Sequence, residues 1–415
     1  MTTIKYPDGP FSGRPLLALL AVMALMLAAA NLRGGLVVVG PLVQEIRDAL
    51  QISSSGFSML TTLPLICFGG MSICVPWLTR RCAPQFLAIS GLLVISIGAG
   101  LRVTESYALV IAGTLLLGLA IALLNVLIPG LVKAFFPRKM GMMTGLYSVT
   151  LSLGAGLGVY LAVPLMNHFG SWRYPMVLWA LFPLVSLLFW LPMLKAKGVG
   201  RPQNPVKVSL WRDGLAWSIT FYMGLQSFFF YSMATWLPKM LIDTGLDAGQ
   251  AGNATAMINL VSIPFNLFVP ILAARMGSQR PLAVAIFLLS VIGLGGLWWD
   301  AAATPWLWAS LIGAGGGGAL SLALSFFVLR ASNTAQATAL SAMAQSIGYL
   351  LAAVGPFLLG MLKDLSGTWQ LALLLLMMMQ LIQFGCGWHA ARAINVVPDQ
   401  DKAGSALQKL KSPNR

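Results

Sequence analysis

Val75-Pro76-Trp77-Leu78-Thr79-Arg80-Arg81-Cys82-Ala83-Pro84-Gln85 recurs as Val269-Pro270-Ile271-Leu272-Ala273-Ala274-Arg275-Met276-Gly277-Ser278-Gln279. Val, Pro, Leu, Arg and Gln coincide at a constant offset of 194 residues. A second echo, Gly170-Ser171-Trp172 against Gly367-Thr368-Trp369, has an offset of 197, and Gly158 and Gly355 fall in the same register. The first echo stands where a second apolar run meets a third, and the other follows a fifth. Two echoes at nearly one spacing imply two halves of parallel topology, with a site expected between them at mid-membrane.

The composition gives those halves their solvent. Of 415 residues 58% are hydrophobic and only 9% charged, and mean hydropathy is +0.83. So few charges cannot cover a soluble surface, where about a quarter of residues are charged. A helix needs about 20 apolar residues to cross a bilayer. Twelve such runs are read: 16–43, 56–78, 86–101, 107–132, 141–165, 174–194, 215–237, 251–274, 282–299, 305–329, 335–362 and 369–391. They are too long and too uniform for barrel strands. The expected fold is an all-α integral membrane protein of twelve transmembrane helices in two pseudo-symmetric six-helix bundles. Its expected parts are a cytoplasmic segment 1–15, a bundle 16–194, a linker 195–214, a bundle 215–392 and a tail 393–415. The start resembles a signal peptide, with Lys5 and Arg14 before an apolar stretch ending in Ala28-Ala29-Ala30. Apolar character resumes after Arg33, so it is read as an uncleaved first helix.

The net charge of +15 is distributed among short connections rather than gathered on one face, which argues against nucleic acid as a partner. With the N-terminus inside, 20 of the 26 Lys and Arg fall on inner segments and five (Arg47, Arg102, Arg173, Lys239 and Lys363) on outer ones. That bias predicts that both termini are cytoplasmic. The four cysteines form no metal-type cluster and read as buried structural thiols. No cofactor or metal is expected.

These features together resemble the major facilitator superfamily. Its loop between helices 2 and 3 usually reads Gly-x-x-x-Asp-Arg-x-Gly-Arg-Lys. Here Arg80 occupies the Asp position, Arg81 the Arg and Ala83 the Gly, while the second copy keeps Arg275 and Gly277 and has Ala274 at the Asp position. Arg80, Arg81, Arg275 and Gly277 are thus the candidate gating-loop residues, without the family's acid. Asn31-Leu32-Arg33, Leu60-Thr61-Thr62-Leu63-Pro64, Pro129-Gly130-Leu131-Val132-Lys133, Trp236-Leu237-Pro238 and Ala342-Met343-Ala344-Gln345-Ser346-Ile347-Gly348-Tyr349-Leu350 resemble the bacterial cyanate/nitroimidazole transporter family more closely. That resemblance implies a bacterial inner-membrane carrier of a small polar solute and does not name the solute. It also implies a cavity lined by helices 1, 4, 7 and 10, assisted by 5 and 11.

Arg33 is the leading candidate site residue. It lies 17 residues from Leu16 and 15 from Asp48, so the apolar run places it inside the membrane, where an ionisable residue signals function. A structural Arg tied to carbonyls, or one snorkelling to the interface, is the competing reading. None of the eleven acids falls in the middle of a run, which suits an anion or a dipolar solute and argues against an intramembrane carboxylate relay. A coupling proton, where one is used, is expected on a rim acid, Glu45 or Asp243, or on the solute. Asn125, Tyr147, Gln226, Tyr231, Gln345 and Tyr349 are candidate hydrogen-bonding partners, each of which could equally be helix–helix glue. The glycines from Gly313 to Gly318 lack the Lys-Ser/Thr of a phosphate loop and read as a close-packing or bending segment.

The function expected is a monomeric secondary transporter of a small polar or anionic, cyanate-like solute, working by alternating access. The alternative is an efflux carrier for small aromatic heterocycles such as nitroimidazoles. A membrane enzyme would need intramembrane His, Asp or Glu clusters, which are absent. A receptor or scaffold would not need a duplicated plan.

Overall fold

The computed structural model describes residues 10–11, 13–52, 54–195 and 209–397. Most of the predicted N-terminal segment, linker and tail, with Lys5, Lys197, Arg201, Lys207, Lys402, Lys409, Lys411 and Arg415, lies outside the described residues. The chain divides into two compact units, Met1–Pro202 and Gln203–Arg415.

The first unit contains α1 (Pro15–Val37), α2 (Val43–Leu50), α3 (Ser54–Arg81), α4 (Pro84–Leu101), α5 (Tyr107–Phe135), α6 (Met140–Phe169) and α7 (Arg173–Trp190). The second contains α8 (Gly214–Ile242), α9 (Ala248–Arg275), α10 (Arg280–Asp300), α11 (Pro305–Leu329), α12 (Thr334–Ser366) and α13 (Gln370–Ala390). All are long except the eight-residue α2. Eleven of the twelve long helices are long and apolar enough to cross a membrane. The exception is α8. Its 29 residues reach about 43 Å, but Trp217, Tyr222, Gln226, Ser227, Tyr231, Ser232 and Thr235 lower its hydropathy. The first apolar run also divides. α1 stops at Val37, a 3₁₀ turn covers Gly40–Leu42, and α2 follows.

The two units repeat one packing plan. In the first, α1 packs on α6 and α7, α3 on α5, and α4 on α5 and α7. In the second, α8 packs on α12 and α13, α9 on α11, and α10 on α11 and α13. The sequence echoes have local causes. Gly170 and Gly367 end α6 and α12 in the left-handed region, at φ 74° and 71°, which a glycine adopts without a Cβ penalty. Trp172 and Trp369, two residues on, are buried. Arg81 and Arg275 are the last residues of α3 and α9, where the helix dipole favours a cation. Gln85 and Gln279 are buried at the start of α4 and α10.

Small residues set the tightest crossings, as they do between helices in lipid. A Cβ on Gly158 would lie 2.7 Å from the Gly34 carbonyl, joining α6 to α1. A Cβ on Gly348 would lie 3.1 Å from Gly224 Cα, joining α12 to α8. The glycine-rich segment of α11 serves two neighbours. Gly313 and Gly317 face Ile258 and Ser262 of α9, each with a prospective Cβ 2.8 Å from a Cα, and Gly315 and Gly318 face Ser290 and Ile286 of α10. Gly316 has room, its nearest neighbour being the Phe229 ring at 3.9 Å.

Candidate functional site

Arg33 stands four residues before the end of α1. With α1 stopping at Val37, it stands in the penultimate turn of that helix, within an apolar span that runs on to Leu42. It is half-buried and lies on one stripe of α1 with Leu16, Leu19, Met23, Met26, Ala30 and Val37, exposed at the first three and half-buried at the others, opposite the buried face of Ala28, Leu32 and Gly35.

Asn125 and Tyr147 come together in the same unit. Asn125 is buried on α5, Tyr147 is 2% exposed on α6, and the phenol donates to Asn125 Oδ1 at 3.5 Å. In the second unit, Gln226 on α8 and Gln345 on α12 lie within one turn of the Gly224–Gly348 crossing. Gln226 donates to Ser227 Oγ at 2.7 Å, and Gln345 to Ser341 Oγ at 2.7 Å. Both amides are buried, as is Tyr349. Tyr231 is half-buried and meets Phe230 edge-to-face at 5.4 Å.

The loop residues separate. Arg80 donates Nε to Pro76 O at 3.2 Å, while Arg81 lies over the Trp77 ring at 4.2 Å. Arg275 is exposed and Gly277 has open space around it. The polar contacts of the second loop instead centre on Gln279. Its Nε2 donates to Ala273 O at 2.8 Å and Met276 O at 3.0 Å, and its Oε1 accepts from the buried Arg330.

A cavity of about 120 Å³ opens between α8, α9 and α11, lined by Phe229, Phe230, Met233, Thr255, Asn259 and Gly316 among others. Two aromatic rings and a thioether supply apolar walls; one amide and one hydroxyl supply a polar edge. Such a mainly apolar hollow with a few placed polar groups is the usual form of a small-molecule site. Sequence reasoning missed Asn259 and Thr255. The available signal was a polar stripe on α9, Thr255, Asn259, Ser262 and Asn266 at helical spacing.

Arg102 stands in the connection from α4 to α5, where the sequence placed it, but its side chain turns inward. Counted among the outer connecting charges, it is 1% exposed and donates Nη1 to Gly35 O of α1 at 2.6 Å. The described acids lie on α2, in loops or within a turn of a long helix's end. Among them, Asp243 accepts from Lys239 Nζ at 2.6 Å and from Trp369 Nε1 at 2.8 Å, with Lys363 Nζ at 3.7 Å. The Lys239 hydrogen bond, followed by that of Trp369, holds its carboxyl below the ordinary value.

This architecture matches known proteins over most of its length. The family model described as Major Facilitator Superfamily matches residues 18–356. A 2-nitroimidazole transporter of Escherichia coli is 35% identical over 385 residues, 92% of this chain and 97% of that protein. The cyanate transport protein CynX of Escherichia coli is 30% identical over 354 residues, 84% and 91% of the two chains. The crystal structure of the Major Facilitator Superfamily transporter FucP in the outward conformation superposes with a TM-score of 0.74 at 15% identity, covering 92% of this chain and all of that one. The chain is a multi-pass secondary transporter and belongs to the Major Facilitator Superfamily.

Proposed function

We propose that this carrier moves a small, flat solute with an electron-rich edge, no larger than one substituted ring, across a bacterial inner membrane by alternating access. The observation that supports this best is the cavity between α8, α9 and α11. Phe229 and Phe230 offer ring faces to a planar π system, for which an offset or edge-on contact is favourable by about 0.5–1.5 kcal/mol beyond area burial. Thr255 and Asn259 offer a hydroxyl and an amide to its polar edge. This lining favours small aromatic heterocycles, and the 35% identity to a 2-nitroimidazole transporter supports the same class.

A cyanate-like anion is the second reading, favoured by the half-buried Arg33 and supported by the likeness to a cyanate transport protein. Asn125, Tyr147, Gln226, Tyr231, Gln345 and Tyr349 are the further solute-facing candidates. Cytoplasmic termini follow from the Lys and Arg bias, and the carrier is taken to work as a monomer. Asp243, held ionised by its lysine partners, is a poor proton carrier; Glu45 or the solute remains for that role.

The test is binding of 2-nitroimidazole and of cyanate to purified protein, with Asn259→Ala and Arg33→Gln alongside. Asn259→Ala should weaken the heterocycle, and Arg33→Gln should weaken cyanate by about ten- to a hundredfold, the loss of one charge-assisted hydrogen bond. Wild-type affinity for both probes in both folded variants would reject the two readings.

A further inference from the structure

Arg102 is the least exposed charged residue among those described, at 1%. Burying a guanidinium is costly unless something answers its charge. No acid does so among the described residues: Glu105, three residues on, pairs with Arg173 at 3.3 Å. Nη1 donates to Gly35 O, while Nε and Nη2 have no hydrogen-bond partner.

The backbone supplies the compensation. α4 ends at Leu101, directly before Arg102, and α1 ends at Val37, two residues after Gly35. The guanidinium therefore meets the C-terminal end of α1, which presents roughly half a negative charge. The carbonyl of Gly34 is taken by Val38 N at 3.2 Å. The next carbonyl, that of Gly35, is the one Arg102 takes. Gly113 of α5 leaves room for the stem, since a Cβ there would lie 3.1 Å from Arg102 Cγ. The Gly34-Gly35 pair has no side chain of its own to anchor the turn.

We propose that Arg102 is a positioning residue for α1. It caps the last turn of the helix that bears Arg33 and so fixes where that cation stands. The inference rests on the proposed part of Arg33 in solute recognition, and the experiment separates the two. Full-length protein in lipid nanodiscs is compared as wild type, Arg102→Gln, Arg102→Lys and Arg33→Gln. Hydrogen exchange is followed at the amides of residues 36–39, and uptake into proteoliposomes is measured with cyanate and 2-nitroimidazole as probes.

Arg102→Gln should speed exchange at residues 36–39 about tenfold, leave α12 unchanged, and raise the KM of the transported probe several-fold with a smaller effect on the maximal rate. Arg102→Lys, with a point charge in place of the planar fork, should fall between. Wild-type exchange in folded Arg102→Gln overturns the proposal. So does faster exchange with an unchanged KM, provided Arg33→Gln itself raises KM. If Arg33→Gln leaves KM unchanged, the reading of Arg33 fails instead, and the exchange result alone judges the cap. Should Arg102→Gln not fold, wild-type exchange and KM in Arg102→Lys overturn the proposal.

Discussion

Arg330 donates a hydrogen bond to Oε1 of Gln279, tying the end of α11 to the residue that closes the second copy of the repeated loop. Its Nε donates to Ala390 O at 2.9 Å. The first copy has no such contact: Gln85 is equally buried, and its Oε1 has no hydrogen-bond partner. Arg330→Leu strands two buried acceptors, each worth about 1–3 kcal/mol, and should lower the Tm of purified protein by several degrees. Gln85→Leu removes an acceptor that is already unpaired and should be neutral or mildly stabilising. Equal losses in the two variants would contradict the asymmetry.

The α1–α6 crossing can be tested with two glycines one turn apart or less. Gly158→Ala brings a methyl to 2.7 Å from the Gly34 carbonyl, whereas Gly156 has nothing within 4 Å. Overpacking of this kind costs about 1–3 kcal/mol. Gly156→Ala should instead gain up to about 1 kcal/mol of helix propensity. Thermal unfolding of the two variants should therefore move in opposite directions.

Asp243 gives a pH signature. Its carboxyl lies below the ordinary value because Lys239 and Trp369 bond to the ionised form. A depressed folded-state pKa adds stability above the unfolded-state pKa, near 3.9, and that stability is lost as pH falls through the folded value. The Tm difference between wild type and Asp243→Asn should stay constant from neutral pH to about pH 5 and close in stronger acid. A difference that instead closed between pH 6 and 8 would mean that Asp243 titrates there and could carry a coupling proton.

Gly316 is the position from which to narrow the cavity. Its prospective Cβ is 3.9 Å from the Phe229 ring and meets no backbone. Gly316→Ala should fold and insert normally, yet weaken 2-nitroimidazole binding while leaving cyanate affinity unchanged. A titration of both probes by tryptophan fluorescence or calorimetry reads this directly. Unchanged affinity for the heterocycle would place its site elsewhere.

The sequence was most informative where one local pattern has one structural outcome. The Gly170 and Gly367 echoes are helix caps whose backbone only glycine adopts cheaply, and the loop echo marks helix ends where a cation is favoured. The glycines of α11 are packing contacts, as their setting in an apolar run suggested. Reading failed where a side chain's neighbour comes from far along the chain. Arg102 follows an apolar run, as a topogenic charge does, and nothing local indicates that the Gly35 carbonyl, 67 residues earlier, lies across from it. Asn259 and Thr255 were not singled out because the residues they share a cavity with, Phe229 and Gly316 among them, belong to other helices.

The low apolarity of α8 bears on how the protein is made. Eleven helices have the length and hydropathy to partition into lipid individually, whereas α8 exchanges that capacity for aromatic and neutral polar side chains. Its most extensive neighbour is α12, which is synthesised only after three more helices. As it leaves the ribosome, α8 is therefore a reluctant entrant to the bilayer. Its hold there depends on later helices arriving, so the second half inserts as a group, and a chain truncated before α12 should fail to retain α8 in the membrane.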